Sequence, residues 1–142
     1  MAGANEPWLT DITEHRTDEG KLYLCAIKDV YSNRIVGYSI DSRTKASLAV
    51  AALRNAVALR APAGTVVHAD RGSQFGSNVF VRTLVSNGLA GPMGRVGTCA
   101  DNAAMESSFA LLQKNVLDRQ RWATRQELRL AIVTWIEKTY HR

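Results

Sequence analysis

The chain has 142 residues, 46% of them hydrophobic and 22% charged, which suits one compact domain with a core and excludes a disordered or low-complexity chain. Lys and Arg number 18 against 13 Asp and Glu, a net charge of +5; such a field draws polyanions without identifying one. The two cysteines, Cys25 and Cys99, exclude a disulfide scaffold and stand at no zinc-ligand spacing, so both are expected to be thiols in a reducing cytoplasm, and no signal peptide or run of membrane length stands in the sequence.

Residues Met1 to Pro7 read as a disordered, frayed start, and a single domain is expected over residues 8–142. Trp8–Thr13, Leu22–Ile27 and Arg34–Ile40 read as three strands. The second is almost continuously apolar, as in a strand covered on both faces, and Ser32-Asn33 is turn chemistry that makes the second and third a hairpin. From Thr44 the period becomes helical, with Leu48, Ala51, Ala52 and Ala56 three and four residues apart, until Pro62-Ala63-Gly64 stops it. Thr65–Ala69 is a fourth strand with Asp70 at its carboxyl end, and a second helix runs from Ser77 to Ser86, ended by Asn87-Gly88. Between Leu89 and Asp101, Gly91, Gly94 and Gly97 mark a short fifth strand and then a loop that Gly94 and Gly97 can hinge. A third helix is expected from Asn102, as its N-cap, to about Asp118. A fourth starts at Thr124, which forms a capping box with Glu127, carries the stripe Leu128, Ala131, Ile132 and Trp135, and reaches Tyr140. It ends without a cap, so the natural polypeptide is expected to continue. This order defines an α/β fold, a mixed five-stranded sheet flanked by helices.

Most of the acidic residues read as solvated surface charge, but three have unusual surroundings. Asp11 sits inside an apolar strand, Asp70 closes a strand and opens the polar turn Asp70-Arg71-Gly72-Ser73-Gln74, and Glu106 lies inside a helix one turn after Asn102. On that helix Met105, Phe109, Leu112 and Val116 share the core face, while Glu106 stands at its border with Asn102, Ala110 and Gln113. Glu106 can therefore lean toward the ends of neighbouring strands. Three converging carboxylates repel one another unless a cation sits among them, and hard oxygen ligands suit magnesium or manganese. Two such ions ~3.5–4 Å apart activate the attacking oxygen and stabilise the leaving one in a phosphodiester displacement.

Three words, in order, carry a resemblance that spans Trp8 to the last residue: Trp8-Leu9-Thr10-Asp11-Ile12-Thr13, His68-Ala69-Asp70-Arg71-Gly72-Ser73-Gln74-Phe75 and Asp101-Asn102-Ala103-Ala104-Met105-Glu106-Ser107, with 35 residues between Asp70 and Glu106. The chain resembles the catalytic domain of bacterial insertion-sequence transposases of the IS-three type, relatives of retroviral integrases. The resemblance implies an RNase-H-like fold over residues 8–142, with Asp11, Asp70 and Glu106 as catalytic residues and ligands of Mg2+ or Mn2+. It implies DNA cleavage by water, then transfer of the freed 3′ hydroxyl to a target strand, with no covalent protein–DNA intermediate. The implied partners are transposon ends, target DNA and further copies of the chain, a dimer above all, with no membrane; the implied location is the bacterial cytoplasm, on the nucleoid. One position departs from the family's pattern, which has Lys or Arg seven residues after the glutamate: here Gln113 stands there, with Lys114 turned about 100° away. Gln113 bonds a phosphate without charge assistance, so weaker binding of the donor end is expected.

Arg71, Gln74, Asn102, Gln113 and Lys114 are the candidate DNA contacts, against ordinary turn polarity for Arg71 and Gln74 and helix capping for Asn102. His68 reads as a satisfied core histidine beside the second aspartate rather than a ligand. Lys114, Arg119, Arg121 and Arg125 form a basic cluster whose default reading is a solvated face, and Trp122 and Trp135 read as core or subunit-contact residues. Two rival functions share these observations. One is an RNase-H-like nuclease acting on another substrate. The other is a catalytically silent fragment of a transposase that serves assembly or dimerisation, since no helix-turn-helix precedes Trp8 and the last helix is cut short.

Overall fold

A computed structural model describes residues 7–30, 32, 34–60, 65, 67–69, 78–89 and 99–140, with side chains except at 60, 99–106 and 140. Its elements in chain order are β1 (Trp8–Thr17), β2 (Gly20–Asp29), β3 (Ile35–Asp41), α1 (Ala46–Arg60), β4 (Val67–Ala69), α2 (Asn78–Ser86), α3 (Cys99–Asn115), a single 3-10 turn (Leu117–Arg119) and α4 (Arg125–Tyr140). The described strands form one sheet in the order β3-β2-β1-β4. β1, β2 and β3 are an antiparallel meander, and β4 lies parallel to β1 after the crossover through α1. The sheet is mixed and flanked by helices, as expected. The fifth strand and the Gly94–Gly97 hinge fall between Leu89 and Asp101, and residues 90–98 lie outside the described residues, as do the helix stop at 62–64 and residues 1–6 of the expected frayed start.

The first hairpin is longer than its apolar pattern. β1 pairs with β2 from Trp8↔Asp29 out to Thr17↔Gly20, through Glu14, Arg16 and Lys21, whose polarity hides the strand because they project past the core. Gly20 closes the turn at φ +134°, a conformation side chains resist, while Thr17 Oγ1 donates to Gly20 O (2.8 Å) and accepts from Glu19 N (3.2 Å). At the next turn, Asp29 N donates to Arg34 O (2.9 Å) and Ser32 N to Asp29 Oδ1 (3.1 Å); Asn33 of the expected turn pair lies outside the described residues.

Each sheet face has its own core. On one, Cys25, Ile27, Val36 and Val67 pack under Leu48, Leu53 and Ala56 of α1 and Phe80 and Leu84 of α2. A bulge between Ile27 and Lys28 turns successive β3 residues, Val36 and Gly37, toward this side. α1 lies so close that a Cβ on Gly37 would meet Ala52 O and Ala56 Cβ at 2.6 Å. On the other face, Leu22, Leu24, Ala26 and Ile35 pack under Leu112 and Val116 of α3 and Leu128, Ile132 and Ile136 of α4. Each fully buried aliphatic side chain contributes about 1.5–3 kcal/mol.

Two helix starts bear on the site. α4 begins as expected: Thr124 Oγ1 accepts from Glu127 N (3.0 Å), and Glu127 Oε1 accepts from Ala123 N (3.2 Å), one residue before the usual partner in a capping box. α3 corrects the reading of Asn102. The helix begins at Cys99, so Asn102 lies inside its first turn and is not the N-cap; the sequence carries an earlier start signal in Thr98-x-x-Asp101. At its other end α3 stops at Asn115, and the 3-10 turn covers the rest of the span expected to be helical.

Candidate active site

Of the three carboxylates, only Asp11 has its side chain among the described residues; Asp70 lies outside them, and Glu106 is described by its α3 backbone. Asp11 is half-buried in the middle of β1 opposite Ala26. Directly paired strand residues share a face, and Ala26 belongs to the core under α3 and α4, so Asp11 faces the side on which α3 lies. Its Oδ1 accepts from Ile12 N at 2.8 Å, which fixes the orientation of the carboxylate.

The parallel pairing of β1 with β4 joins Leu9 to His68 and Thr10 to Ala69. Each residue of the last pair is followed in sequence by an aspartate, Asp11 and Asp70. His68 is half-buried within β4 and shares Leu9's face. Among the described residues no three His, Cys, Asp or Glu side chains converge into a metal-binding group, and two members of the candidate triad fall outside that set.

Of the candidate DNA contacts, Arg71 and Gln74 lie outside the described residues, and Asn102 is described by backbone alone. Gln113 and Lys114 are exposed at the end of α3. Gln113 Nε2 donates to Asp118 Oδ1 at 2.6 Å. The basic cluster is partly used for packing the hairpin: Arg121 pairs with Asp18 (2.8 Å), and Arg125 donates from Nε to Lys21 O (2.9 Å) and from its backbone N to Glu19 Oε1 (2.7 Å).

Three buried groups on the Asp11 face escape a reading of the sequence. Lys28 is 2% exposed and donates from Nζ to Ser108 Oγ of α3, itself 4% exposed. Burial holds the Lys28 ammonium below its ordinary pKa. His15, opposite Leu22 on the same face, is pushed down to about 4 by burial, against the opposing pull of Glu14; its Nε2 has no hydrogen-bond partner among the described residues. His15 lines a cleft of about 470 Å³ with Gln113, Gln120, Arg121 and Trp122 at the far end of β1. The available signal is parity: the alternation that sends Leu22, Leu24 and Ala26 to one face sends Lys28 there too. On α3, Ser108 stands four residues before Leu112, completing the core face read from Phe109, Leu112 and Val116.

Comparisons with known proteins give the family and the fold. The family described as "Integrase core domain" matches residues 2–99, a span that includes Asp11 and Asp70 and stops short of Glu106. The InsF transposase of insertion sequence IS3A from Escherichia coli (strain K12) is 37% identical over 99% of this chain and 49% of its own length. The transposase of insertion sequence element IS629 from Shigella sonnei is 36% identical over 92% of this chain and 44% of its own. The chain belongs to the integrase core domain family, and within it to the core of insertion-sequence transposases of the IS3 type.

The chain spans about half the length of the curated relatives it matches. Among solved structures, the HTLV-2 integrase catalytic core domain in complex with magnesium, in a trimeric form, has a TM-score of 0.68 at 20% identity, covering 96% of this chain and 86% of that one. The catalytic core domain of BIV integrase has a TM-score of 0.69 at 14% identity, covering 92% and 82%. These likenesses establish the fold, the RNase-H-like architecture of retroviral integrase cores. No helix of the described residues is long and apolar enough to cross a membrane.

Proposed function

We propose that this chain is the catalytic core of a transposase that cleaves and joins DNA strands, with Asp11, Asp70 and Glu106 holding divalent magnesium or manganese. The observation that carries the proposal is the pairing of Thr10 with Ala69. Two adjacent parallel strands thereby run side by side up to the residues bonded to Asp11 and Asp70. Successive Cα atoms are about 3.8 Å apart and paired strands about 4.8 Å, which supports the reading that the Asp11 and Asp70 carboxylates share one neighbourhood. The 35-residue interval then returns the chain along α3, on the face that Asp11 occupies, with Glu106 in its first half.

The donor set fits a hard cation, since carboxylate oxygens are its ligands of choice. When bound, the metal supplies charge stabilisation for the attacking and leaving oxygens of an in-line displacement. The chain's own residues orient and exclude. The Ile12 N–H fixes the plane of the Asp11 carboxylate, and the apolar packing of Ala26, Leu112 and Val116 keeps that side of the site dry. In the first reaction a water oxygen bonds to phosphorus, the P–O3′ bond breaks and O3′ takes up a proton. In the second, the freed 3′ hydroxyl attacks a target phosphodiester and displaces another O3′. The first is a hydrolysis and the second exchanges one phosphodiester for another, and neither needs a protein nucleophile.

The DNA substrates on this reading are transposon ends and target DNA, contacted by Arg71, Gln74, Asn102, Gln113 and Lys114. A phosphate contact at Gln113 requires its bond to Asp118 to break, in keeping with weak donor-end binding by this chain alone. A homodimer on the bacterial nucleoid completes the proposal. The test is substitution: Asp70→Asn and Glu106→Gln each abolish metal-dependent cleavage of DNA while the far-ultraviolet spectrum and melting temperature stay those of the parent. Full cleavage by either folded variant overturns the assignment.

A further inference from the structure

We propose that Lys28 is a positioning residue, whose bond to Ser108 selects the placement of α3 over the sheet and so sets the approach of Glu106 to Asp11. The inference rests on the metal-site reading above and adds a residue to it. Lys28 stands opposite Leu9 on the neighbouring strand, and Leu9 is two residues from Asp11 on the same face. Ser108 is two residues past Glu106 on α3. The ammonium therefore links the two carboxylate-bearing elements, β1 through its paired strand and α3 directly, close to each carboxylate along its own chain.

The apolar part of the interface does not define this placement by itself. Among the described side chains, α3 packs toward the sheet, beside Ser108, with the half-buried Phe109 and with Leu112 and Val116, similar side chains one turn apart, set against Leu22, Leu24, Ala26 and Ile35. Leu112 and Val116 alone do not distinguish this placement from one shifted by a helical turn, and one turn moves a residue by about 5.4 Å. A slide of that size carries Glu106 away from any ion that Asp11 and Asp70 share. A buried lysine bonded to a buried serine favours the register that keeps that bond, because elsewhere the ammonium loses the Ser108 hydroxyl at a desolvation cost. An apolar residue of similar volume at such a position is often as stable as the polar group or more so. Stability alone therefore does not account for an ammonium 2% exposed between a strand and a helix. Lys28 and Ser108 each have further interactions, as expected of groups fixed from several sides. With so little exposure, Lys28 cannot reach DNA in solvent.

The experiment compares Lys28→Met, Ser108→Ala, Ser108→Thr and Glu106→Gln in the 142-residue chain. Melting temperature, Mn2+ affinity (from the electron paramagnetic resonance of unbound Mn2+) and metal-dependent nicking of supercoiled DNA are measured on each. Lys28→Met is expected to melt at the parent temperature or above it and to bind Mn2+ roughly tenfold more weakly, the low end of the effect of removing a group that orients a metal ligand. Its nicking is expected to require a correspondingly higher metal concentration. Ser108→Ala shifts the metal affinity in the same direction by less, and Ser108→Thr, which keeps the hydroxyl, restores it. Stability held while metal affinity falls is the signature that a merely structural lysine does not give.

Parent-like Mn2+ affinity in folded Lys28→Met or Ser108→Ala, alongside weakened binding in Glu106→Gln, overturns the positioning role and leaves the metal site standing. A parallel fall of melting temperature and metal affinity in both Lys28→Met and Ser108→Ala also overturns it. Should Lys28→Met not fold, Ser108→Ala and Ser108→Thr decide, measured well below their melting temperatures: parent-like Mn2+ affinity in Ser108→Ala, or no recovery of affinity in Ser108→Thr, overturns the positioning role. Parent-like Mn2+ affinity in Glu106→Gln instead removes the metal reading itself.

Discussion

Beneath α1 and α2 the sheet buries Ile27, Val36 and Val67, and the titratable group among the core residues there is the Cys25 thiol, which burial pushes up to about 12. Beneath α3 and α4 the same strands bury Lys28 and His15 and half-bury Asp11, among Leu22, Leu24 and Ala26. The polar atoms of the first face are short and locally satisfied: Thr10 Oγ1 lies 3.5 Å from Cys25 Sγ, and Ser39 Oγ donates to Leu48 O at 2.5 Å. Those of the second are ionisable and reach between elements, as Lys28 does to α3. One sheet thus carries a face whose composition is explained by packing and a face whose composition costs stability. The groups that are expensive to bury thus share the sheet face on which Asp11 lies, a pattern found where a fold gives up stability to hold a site.

The largest expected effect separates the two faces by function. Asp11→Asn, Asp70→Asn or Glu106→Gln is expected to reduce metal-dependent strand cleavage by at least about a thousandfold, since the metal supplies several kcal/mol of charge stabilisation. Thermal unfolding of the same variants is expected to stay near that of the parent. The converse on the other face is Leu53→Ala, at a fully buried position of α1. It should cost about 2–5 kcal/mol in denaturant unfolding while cleavage per folded molecule is unchanged. A variant of Leu53 that folds well yet loses activity would break the division between the faces.

A third prediction concerns pH. His15 has its folded pKa pushed down to about 4 from an ordinary 6.5. The unfolded chain therefore takes up a proton in a window where the folded chain does not. Stability is fully present above pH 6.5 and is lost as pH falls toward 4, by about 3 kcal/mol at roughly 1.4 kcal/mol per pH unit. Urea unfolding of His15→Phe between pH 7 and 4 should remove that part of the pH dependence, and an unchanged slope would show that His15 is protonated in the folded state. The smallest effect is at the start of α4, where Thr124→Ala removes the bond to Glu127 N and should cost about 1 kcal/mol by thermal melting, with activity intact.

The architecture was legible in the sequence where hydrophobic period and chain punctuation agree. Leu22–Ile27 reads as a covered strand, Leu48, Ala52 and Ala56 as a helix face, and Thr124-x-x-Glu127 as a helix start, and each is so found. The outer half of the first hairpin was not legible, because Glu14, Arg16 and Lys21 sit on strands that extend into solvent and obey pairing rather than burial. The start of α3 was misread at Asn102 because Asn is both a good cap and tolerable within a first turn, and the threonine four residues earlier carried the competing signal. Asp11 could be singled out as a charge inside an apolar strand. Lys28 could not, since it lies just past the strand read as Leu22–Ile27 until strand pairing shows that β2 runs two residues further, to Asp29.

The most direct measurement is a crystal structure of the chain soaked in Mn2+, with anomalous scattering used to locate the ion. The account predicts one or two peaks bounded by carboxylate oxygens of Asp11, Asp70 and Glu106, at about the 2.0–2.2 Å expected of a small divalent ion with oxygen ligands. Manganese bound elsewhere at saturation, with those three side chains held apart, would contradict it.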